Sequence, residues 1–84
     1  MKSKTLPSFW KWFDKLPAEI QDLARQKYHL WQSNPFHVSL HFKEVGPRVW
    51  SIRINQKYRA LGQESNDMIV WYWIGTHDEY DARV

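Results

Sequence analysis

The chain has 84 residues, enough for a single domain over 1–84, and 17% of them are aromatic, which supplies the bulky side chains that so small a core needs. It contains no cysteine, which excludes disulfides and thiolate metal ligands and is typical of a reducing compartment. Met1 to Pro7 lacks the apolar run of a signal peptide, and the longest apolar run, Met68 to Ile74, is too short to cross a membrane. The sequence therefore predicts a cytoplasmic protein without a membrane segment.

The formal net charge is +3, and the positive charge is concentrated in one part of the chain. The segment from His41 to Arg59 holds five cationic residues and one acidic residue, Glu44. From Thr76 onward, three acidic residues stand against Arg83 alone. A cationic block of this kind is typical of proteins that bind polyanions such as nucleic acid.

The first part of the chain has the spacing of a helical hairpin. Apolar residues recur at helical spacing from Leu6 to Leu16, and a second stripe runs from Ile20 to Trp31. Pro17 breaks the first stripe and suits the first turn of the next helix, and the pair Asn34-Pro35 ends that helix. We therefore expect two antiparallel helices joined at Leu16-Pro17.

After Ser39 the apolar period changes to two, which indicates β-strands. Because the connections are short, neighbouring strands should be antiparallel, and the last strand, apolar on both faces, should be central. The predicted strands are Leu40 to Lys43, Trp50 to Ile54, Tyr58 to Gly62 and Met68 to Ile74. The predicted fold class is α+β, with an N-terminal helical hairpin packed on one face of a small antiparallel sheet. Trp10, Trp31 and Trp50 fit the apolar stripes and are expected in its core.

Strand alternation also predicts which polar side chains share a face. If the apolar positions face the helices, the polar positions must face the other way, because a one-residue slip would bury the cations. This second face is expected to be cationic and open to solvent, and it carries His41, Lys43, Ser51, Arg53, Asn55 and Arg59. The arginines could bind phosphate, or they could be solvated or paired with Glu44 and Glu64.

His77 and Tyr80 follow the last strand and would lie at the rim of the cationic face. RNA cleavage needs a base for the 2′-hydroxyl, an acid for the leaving oxygen and cations on the phosphate, and histidine suits proton transfer near neutral pH. Tyr80 could equally cap the core, and Asp78 to Asp81 reads as a solvated end. The four histidines show no recognised metal spacing and there is no Gly-rich phosphate loop, so no metal and no cofactor are predicted.

Several segments, in order and spacing, resemble the RelE/ParE superfamily of toxins from type II toxin–antitoxin systems. The segments include Leu16-Pro17-Ala18-Glu19-Ile20-Gln21, Trp50-Ser51-Ile52-Arg53-Ile54, Tyr58-Arg59-Ala60-Leu61-Gly62 and Ile74-Gly75-Thr76-His77-Asp78-Glu79-Tyr80-Asp81. The resemblance implies a helical hairpin on a small antiparallel sheet, usually preceded by an edge strand, for which Lys2 to Leu6 is the available segment. It further implies the activity of the RelE/HigB-like branch, metal-independent endoribonucleases that cut mRNA on the ribosome and so inhibit translation.

By this resemblance the catalytic residues are Arg53, Arg59, His77 and Tyr80, and the RNA-binding residues are Lys43, Lys57, Arg53 and Arg59, with His41 added from the cationic face. Ser51 stands where some RelE-like members have a lysine. The implied partners are a cognate antitoxin and mRNA on the ribosome, with oligomers formed only through the antitoxin complex. Two alternatives stay open: a ParE-like inhibitor of DNA gyrase, and a non-catalytic member of the fold.

Overall fold

A computed structural model describes the whole chain, Met1–Val84, as three helices and one five-stranded sheet. The strands are β1 (Lys2–Thr5), β2 (Lys43–Gly46), β3 (Val49–Arg53), β4 (Tyr58–Ser65) and β5 (Met68–Thr76), and the helices are α1 (Pro7–Phe13), α2 (Ala18–Ser33) and α3 (His77–Arg83). A short 3-10 helix covers Val38–Leu40. The strand order is β1-β5-β4-β3-β2. No helix is long and apolar enough to cross a membrane.

The predicted helical hairpin is confirmed. Pro17 is the N-cap of α2, where its missing N–H costs no hydrogen bond, and the chain leaves the helix at Asn34, just before Pro35. The side chain of Gln21 donates to the carbonyl oxygen of Phe13 at 3.0 Å, which ties the start of α2 to the end of α1.

The sheet is mixed rather than purely antiparallel, because an N-terminal edge strand is present. β1 pairs parallel to β5, from Lys2 opposite Met68 to Thr5 opposite Trp71, whereas the other neighbours pair antiparallel as predicted. The hydroxyls of Ser3 and Tyr28 lie 2.6 Å apart and join β1 to α2.

The main core lies between the helical hairpin and the sheet. Trp31 and Leu40 are completely buried there, and the Trp31 ring packs edge-on against Phe42 and Trp71. Trp50 is half-buried against this cluster. The prediction that Trp10 lies in the core is wrong: its side chain is 45% exposed, and its indole N–H donates to Thr5.

The predicted strand at Leu40 to Lys43 is also wrong at its beginning. His41 adopts a left-handed conformation with φ of 47°, which breaks the extended chain, so β2 begins only at Lys43. The 3-10 turn before it is stabilised locally, because the imidazole of His37 accepts from the backbone N–H of Ser39 at 3.1 Å. The apolar alternation reflected burial of Leu40 and Phe42, and not a strand.

The second face of the sheet is partly covered, which corrects the prediction of an open face. The predicted solvated end at Asp78 to Asp81 is instead part of α3, which packs across β4 and β5. Leu61, Trp73 and Tyr80 form a second buried cluster beneath it, and Ser51 is only 2% exposed. A register shift between Leu61 and Gly62 and an apolar β5 on both sides give this face its own small core.

Candidate functional site

Arg53 and Arg59 lie directly opposite each other on β3 and β4, so their side chains share the face that α3 partly covers. Both are half-buried. The guanidinium of Arg59 donates to the backbone carbonyl oxygens of Asn55 and Tyr58, the latter at 3.1 Å. Burial lowers the pKa of Arg59, and the positive charge of Arg53 lowers it further. The two cations are therefore held close together at an energetic cost that a bound anion would relieve.

Neither arginine forms an ion pair with a carboxylate, so the pairing with Glu44 and Glu64 considered above is not formed, and the solvated alternative stays open. The ion pairs of the protein are Lys2–Asp67, Arg25–Asp22 and His77–Asp81. Glu44 instead accepts from the backbone N–H of Arg48, and Glu64 accepts from the indole of Trp50. The charge of Asp81 on α3 partly offsets the lowering of the Arg59 pKa, but no carboxylate contacts either guanidinium directly.

Asn55 shapes the turn between the two arginines, a role that the sequence analysis did not assign. Its side-chain oxygen accepts from the backbone N–H groups of Lys57 and Tyr58 at 2.9 and 3.0 Å, while its carbonyl oxygen accepts from Arg59. The preference of asparagine for such turns was the available signal. Asn55 thus fixes both the turn and the orientation of the Arg59 side chain.

His77 opens α3 immediately after β5, and its backbone N–H donates to the carbonyl oxygen of Lys57 at the neighbouring turn. Its side chain is 43% exposed, with Nδ1 lying 3.2 Å from Oδ2 of Asp81, one helical turn later. In the neutral imidazole, a proton on Nδ1 donated to this carboxylate makes Nε2 the acceptor nitrogen, on the side of the ring away from Asp81. Asp81 was missed because it was assigned to a solvated end, although the spacing of four residues from His77 would be the signal on a helix.

Tyr80 lies beneath His77 on α3, with the two ring centres 5.8 Å apart. The tyrosine is only 8% exposed, belongs to the second buried cluster, and directs its hydroxyl to Ser51 at 3.5 Å. Of the two roles considered for it, packing is therefore evident, and proton donation stays a prediction.

Arg53 and Arg59 lie on the strands beside the start of α3, which carries His77 and Tyr80, and His41 lies beside Arg53. These five residues are called the cationic site here, and their roles stay predictions. The His41 imidazole lies 3.4 Å from the Arg53 guanidinium. Lys57 flanks the site through its turn. Lys43 is opposite Ser51 and hence on the same face, exposed and nearer the β2 edge than the two arginines.

Three side chains in the first turns of α3 are grouped closely enough that they could hold a metal ion. Ligand atoms of His77, Asp78 and Asp81 lie within 4.8 Å of one another. The search for spacing among the histidines did not find this group, because its other members are carboxylates on the same helix. That activity needs no metal stays a prediction.

A cavity of about 240 Å³ between the helical hairpin and the sheet is separate from the cationic site. Its walls are mainly apolar, including Phe13, Ile52 and Trp71, and it contains no residue of the cationic site. Lys4, Thr5, Arg25 and His29 also line it, on the opposite side of the sheet from Arg53 and Arg59.

A sequence model of the ParE-like toxin domain matches residues 18–82, more than half of the chain. This protein belongs to the ParE-like toxin family. The predicted RelE/ParE relationship is thereby confirmed, and the protein is a toxin of a type II toxin–antitoxin family. No curated protein sequence matches it significantly.

Solved structures confirm the fold. A YoeB/ParE toxin from Agrobacterium tumefaciens has 16% identity and a TM-score of 0.69, covering 92% of this chain and 99% of its own. The RelB–RelE antitoxin–toxin complex from Methanococcus jannaschii has 18% identity and a TM-score of 0.72, covering 93% and 95%. The isolated E. coli RelE toxin has 16% identity and a TM-score of 0.67, covering 98% and 94%.

Proposed function

We propose that this toxin is a ribosome-dependent, metal-independent mRNA endonuclease that inhibits translation. The observation that carries the proposal is the pair of arginines on β3 and β4, unpaired with any carboxylate and adjoining the helix that presents an exposed histidine. Such a set of groups fits a phosphodiester, with cations for its charge and an imidazole for proton transfer.

The arginines would bind the scissile phosphate. Nη1 of Arg59 is already committed to the carbonyl oxygens of Asn55 and Tyr58, which orients the planar guanidinium and leaves its other N–H groups for phosphate oxygens. As the 2′-oxygen attacks, negative charge grows on those oxygens, and prepositioned cations stabilise it without reorganisation. Arg53, directly opposite on β3, supplies the second cation.

His77 would transfer a proton. In the reaction, the 2′-oxygen bonds to phosphorus, the bond from phosphorus to the 5′-oxygen breaks, and a 2′,3′-cyclic phosphate remains. The 2′-hydroxyl loses its proton to a base and the 5′-oxygen gains one from an acid. With Nδ1 held by Asp81, Nε2 of His77 is the nitrogen available for one of these transfers.

The proposed dependence on the ribosome agrees with the small number of side chains in the site that can transfer a proton. His77 is an exposed acid–base group there, whereas the Tyr80 hydroxyl is buried and directed at Ser51. The imidazoles of His77 and His41 are accessible at the site, and a second surface would order the mRNA and align its 2′-hydroxyl with the phosphate. The ribosome would provide that surface.

We further propose that a cognate antitoxin silences this toxin. Among the solved structures with this fold, those from M. jannaschii and P. horikoshii and the intact E. coli RelBE are toxin–antitoxin complexes. An acidic antitoxin segment would be attracted to the unpaired Arg53 and Arg59, and an added strand could pair with an edge of the sheet, such as β1.

The experiment that tests the function presents purified toxin to two targets in parallel: translating ribosomes carrying a defined mRNA, and DNA gyrase with supercoiled plasmid. We expect mRNA cleavage on ribosomes and unchanged supercoiling by gyrase. Gyrase inhibition with intact mRNA would replace the proposal with the ParE-like alternative. Activity against neither target, from a folded protein that also fails to arrest growth, would favour the non-catalytic alternative.

A further inference from the structure

Arg83, an exposed residue in the last turn of α3, contacts two tryptophan rings. Its guanidinium carbon lies 5.1 Å from the centre of the Trp12 ring on α1 and 4.8 Å from that of Trp73 on β5. The ammonium of Lys15 lies 4.7 Å from the Trp12 ring as well. We call Trp12, Arg83 and Trp73 the Arg83 clamp; it joins the helical hairpin and the sheet to the end of the helix that begins with His77.

α3 depends on such contacts because it has only seven residues. Isolated helices shorter than about 12 residues are marginal in water, so the order of α3 must come from its docking. Its beginning is held by the capping box in which Thr76 and Glu79 bond each other's backbone N–H, and its middle by the buried Tyr80. Its end is held by the Arg83 clamp.

The docked position of α3 also depends on its close approach to the sheet at Gly75. A side chain at Gly75 would collide with the Trp73 ring and lie 2.9 Å from the Glu79 carboxylate, so the glycine permits α3 to turn back directly over β5. The His77–Asp81 pair spans one turn of α3 and therefore forms only while this helix is intact.

We propose that Arg83 is a positioning residue for cleavage, which it supports by keeping α3 docked and so holding His77 over the phosphate site; this inference rests on the proposed function. Arg83 does not contact the substrate phosphate. Arg53 and Arg59 belong to the sheet and keep their positions when α3 detaches. Loss of the clamp therefore lowers the fraction of molecules with His77 in place without removing the cations that bind RNA.

The variant that tests this is Arg83→Met, which keeps an unbranched side chain and removes the cation from both rings. The matched control is Arg25→Met on α2, since the Arg25 guanidinium lies 5.1 Å from the Phe13 ring in a comparable cation–aromatic contact that does not involve α3. Trp12→Leu is a second test variant, because it retains an apolar contact but removes one aromatic face. Arg83→Lys keeps the charge and should restore part of the effect.

The first measurement is hydrogen exchange of α3 amides in the free toxin, which does not depend on any activity. A cation–aromatic contact of the usual strength predicts exchange roughly 2- to 30-fold faster in Arg83→Met and in Trp12→Leu, with the core strands unchanged. Arg25→Met should leave α3 exchange at the wild-type rate. Equal α3 exchange in Arg83→Met and wild type would overturn the inference.

The second measurement separates kcat from KM for mRNA cleavage on ribosomes. We expect Arg83→Met to lower kcat at least threefold with little change in KM, Arg83→Lys to recover part of the loss, and Arg25→Met to behave as wild type. A kcat of Arg83→Met equal to that of Arg25→Met, or a rise in KM alone, would contradict a positioning role for Arg83. If wild-type toxin cleaves nothing, the proposed function has failed, and exchange in α3 still decides whether Arg83 docks the helix.

Discussion

The two faces of the sheet are covered in different ways. The hairpin side buries large apolar rings such as Trp31, Phe42 and Trp71 in a cluster of 11 residues. The α3 side buries a cluster of three residues under a seven-residue helix, beside half-buried arginines. The first side therefore provides most of the hydrophobic stabilisation, and the second retains polar groups that a deeper core would have excluded. In the proposed function, the chemistry therefore takes place on the face opposite the one that stabilises the fold.

The largest expected effect tests the α3 side. His77→Gln removes the exposed imidazole and should lower cleavage on ribosomes by about 10²–10⁴-fold, the usual contribution of one positioned proton-transfer group. The free energy of unfolding in urea should stay close to wild type, because the side chain is 43% exposed and packs little. His29→Gln, on α2, is the matched control and should cleave normally. Wild-type cleavage by folded His77→Gln would exclude the role given to His77.

The hairpin side is tested by Leu40→Ala. Leu40 is completely buried, so its truncation should lower the free energy of unfolding by about 2–5 kcal/mol in urea titrations. Cleavage measured at a temperature where the variant remains folded should be near wild type, because Leu40 packs on the face opposite the cationic site. A folded Leu40→Ala variant with activity as low as His77→Gln would show that the two faces do not act separately.

The next largest loss of cleavage rate is expected for Arg59→Met. Removing one prepositioned charge from a developing oxyanion typically costs about 10²–10³-fold in rate. Arg48→Met is the control, since Arg48 is a cation of the same chain segment at the β2–β3 turn, where it donates to the carbonyl oxygen of Glu64. Arg48→Met should cleave within a few-fold of wild type. Equal losses in the two variants would mean that net charge, and not the Arg59 site, drives activity.

The sequence predicts the hairpin side of the sheet better than the α3 side. The hairpin and strands β3, β4 and β5 follow from apolar period and proline positions, because long periodic segments are packed as their pattern requires. α3 was missed because His77–Arg83 has no apolar stripe and its order depends on tertiary contacts. The sequence Thr76-x-x-Glu79 was a capping-box signal that could have revealed it.

The candidate site shows a similar division. Alternation placed Arg53 and Arg59 on one face correctly, because side-chain direction in a strand depends only on register. The contacts of Asn55 and Asp81 were not predicted, since one depends on a turn conformation and the other on the helix that was assigned as a solvated end. The contacts that were not predicted therefore depend on local turn and helix geometry, which the periodic spacing of apolar residues does not report.

The smallest expected effect concerns the capping box of α3. Hydrogen bonds from Thr76 lower the pKa of Glu79. At pH values above the ordinary pKa of glutamate, the ionised carboxylate therefore stabilises docked α3. This contribution is lost as the pH falls through the lowered pKa of the folded protein. Thr76→Ala keeps the backbone hydrogen bond, which is the larger cause of the shift, and removes the side-chain one. It should therefore raise the Glu79 pKa part of the way toward its ordinary range and speed amide exchange in α3 modestly. Carboxyl titration by NMR checks this, and an unchanged Glu79 titration in Thr76→Ala would contradict the capping account.

The most direct test of the central claim, that two arginines and one histidine cleave RNA on the α3 side without a metal ion, is one cleavage measurement. Wild type and the double variant Arg53→Met/Arg59→Met are compared on translating ribosomes from which free zinc and manganese have been chelated, with magnesium retained for the ribosome. The account predicts wild-type cleavage at the rate seen without chelator and at least about a hundredfold less cleavage by the double variant. Loss of wild-type cleavage on chelation while the ribosomes still translate, or undiminished cleavage by the folded double variant, would contradict it.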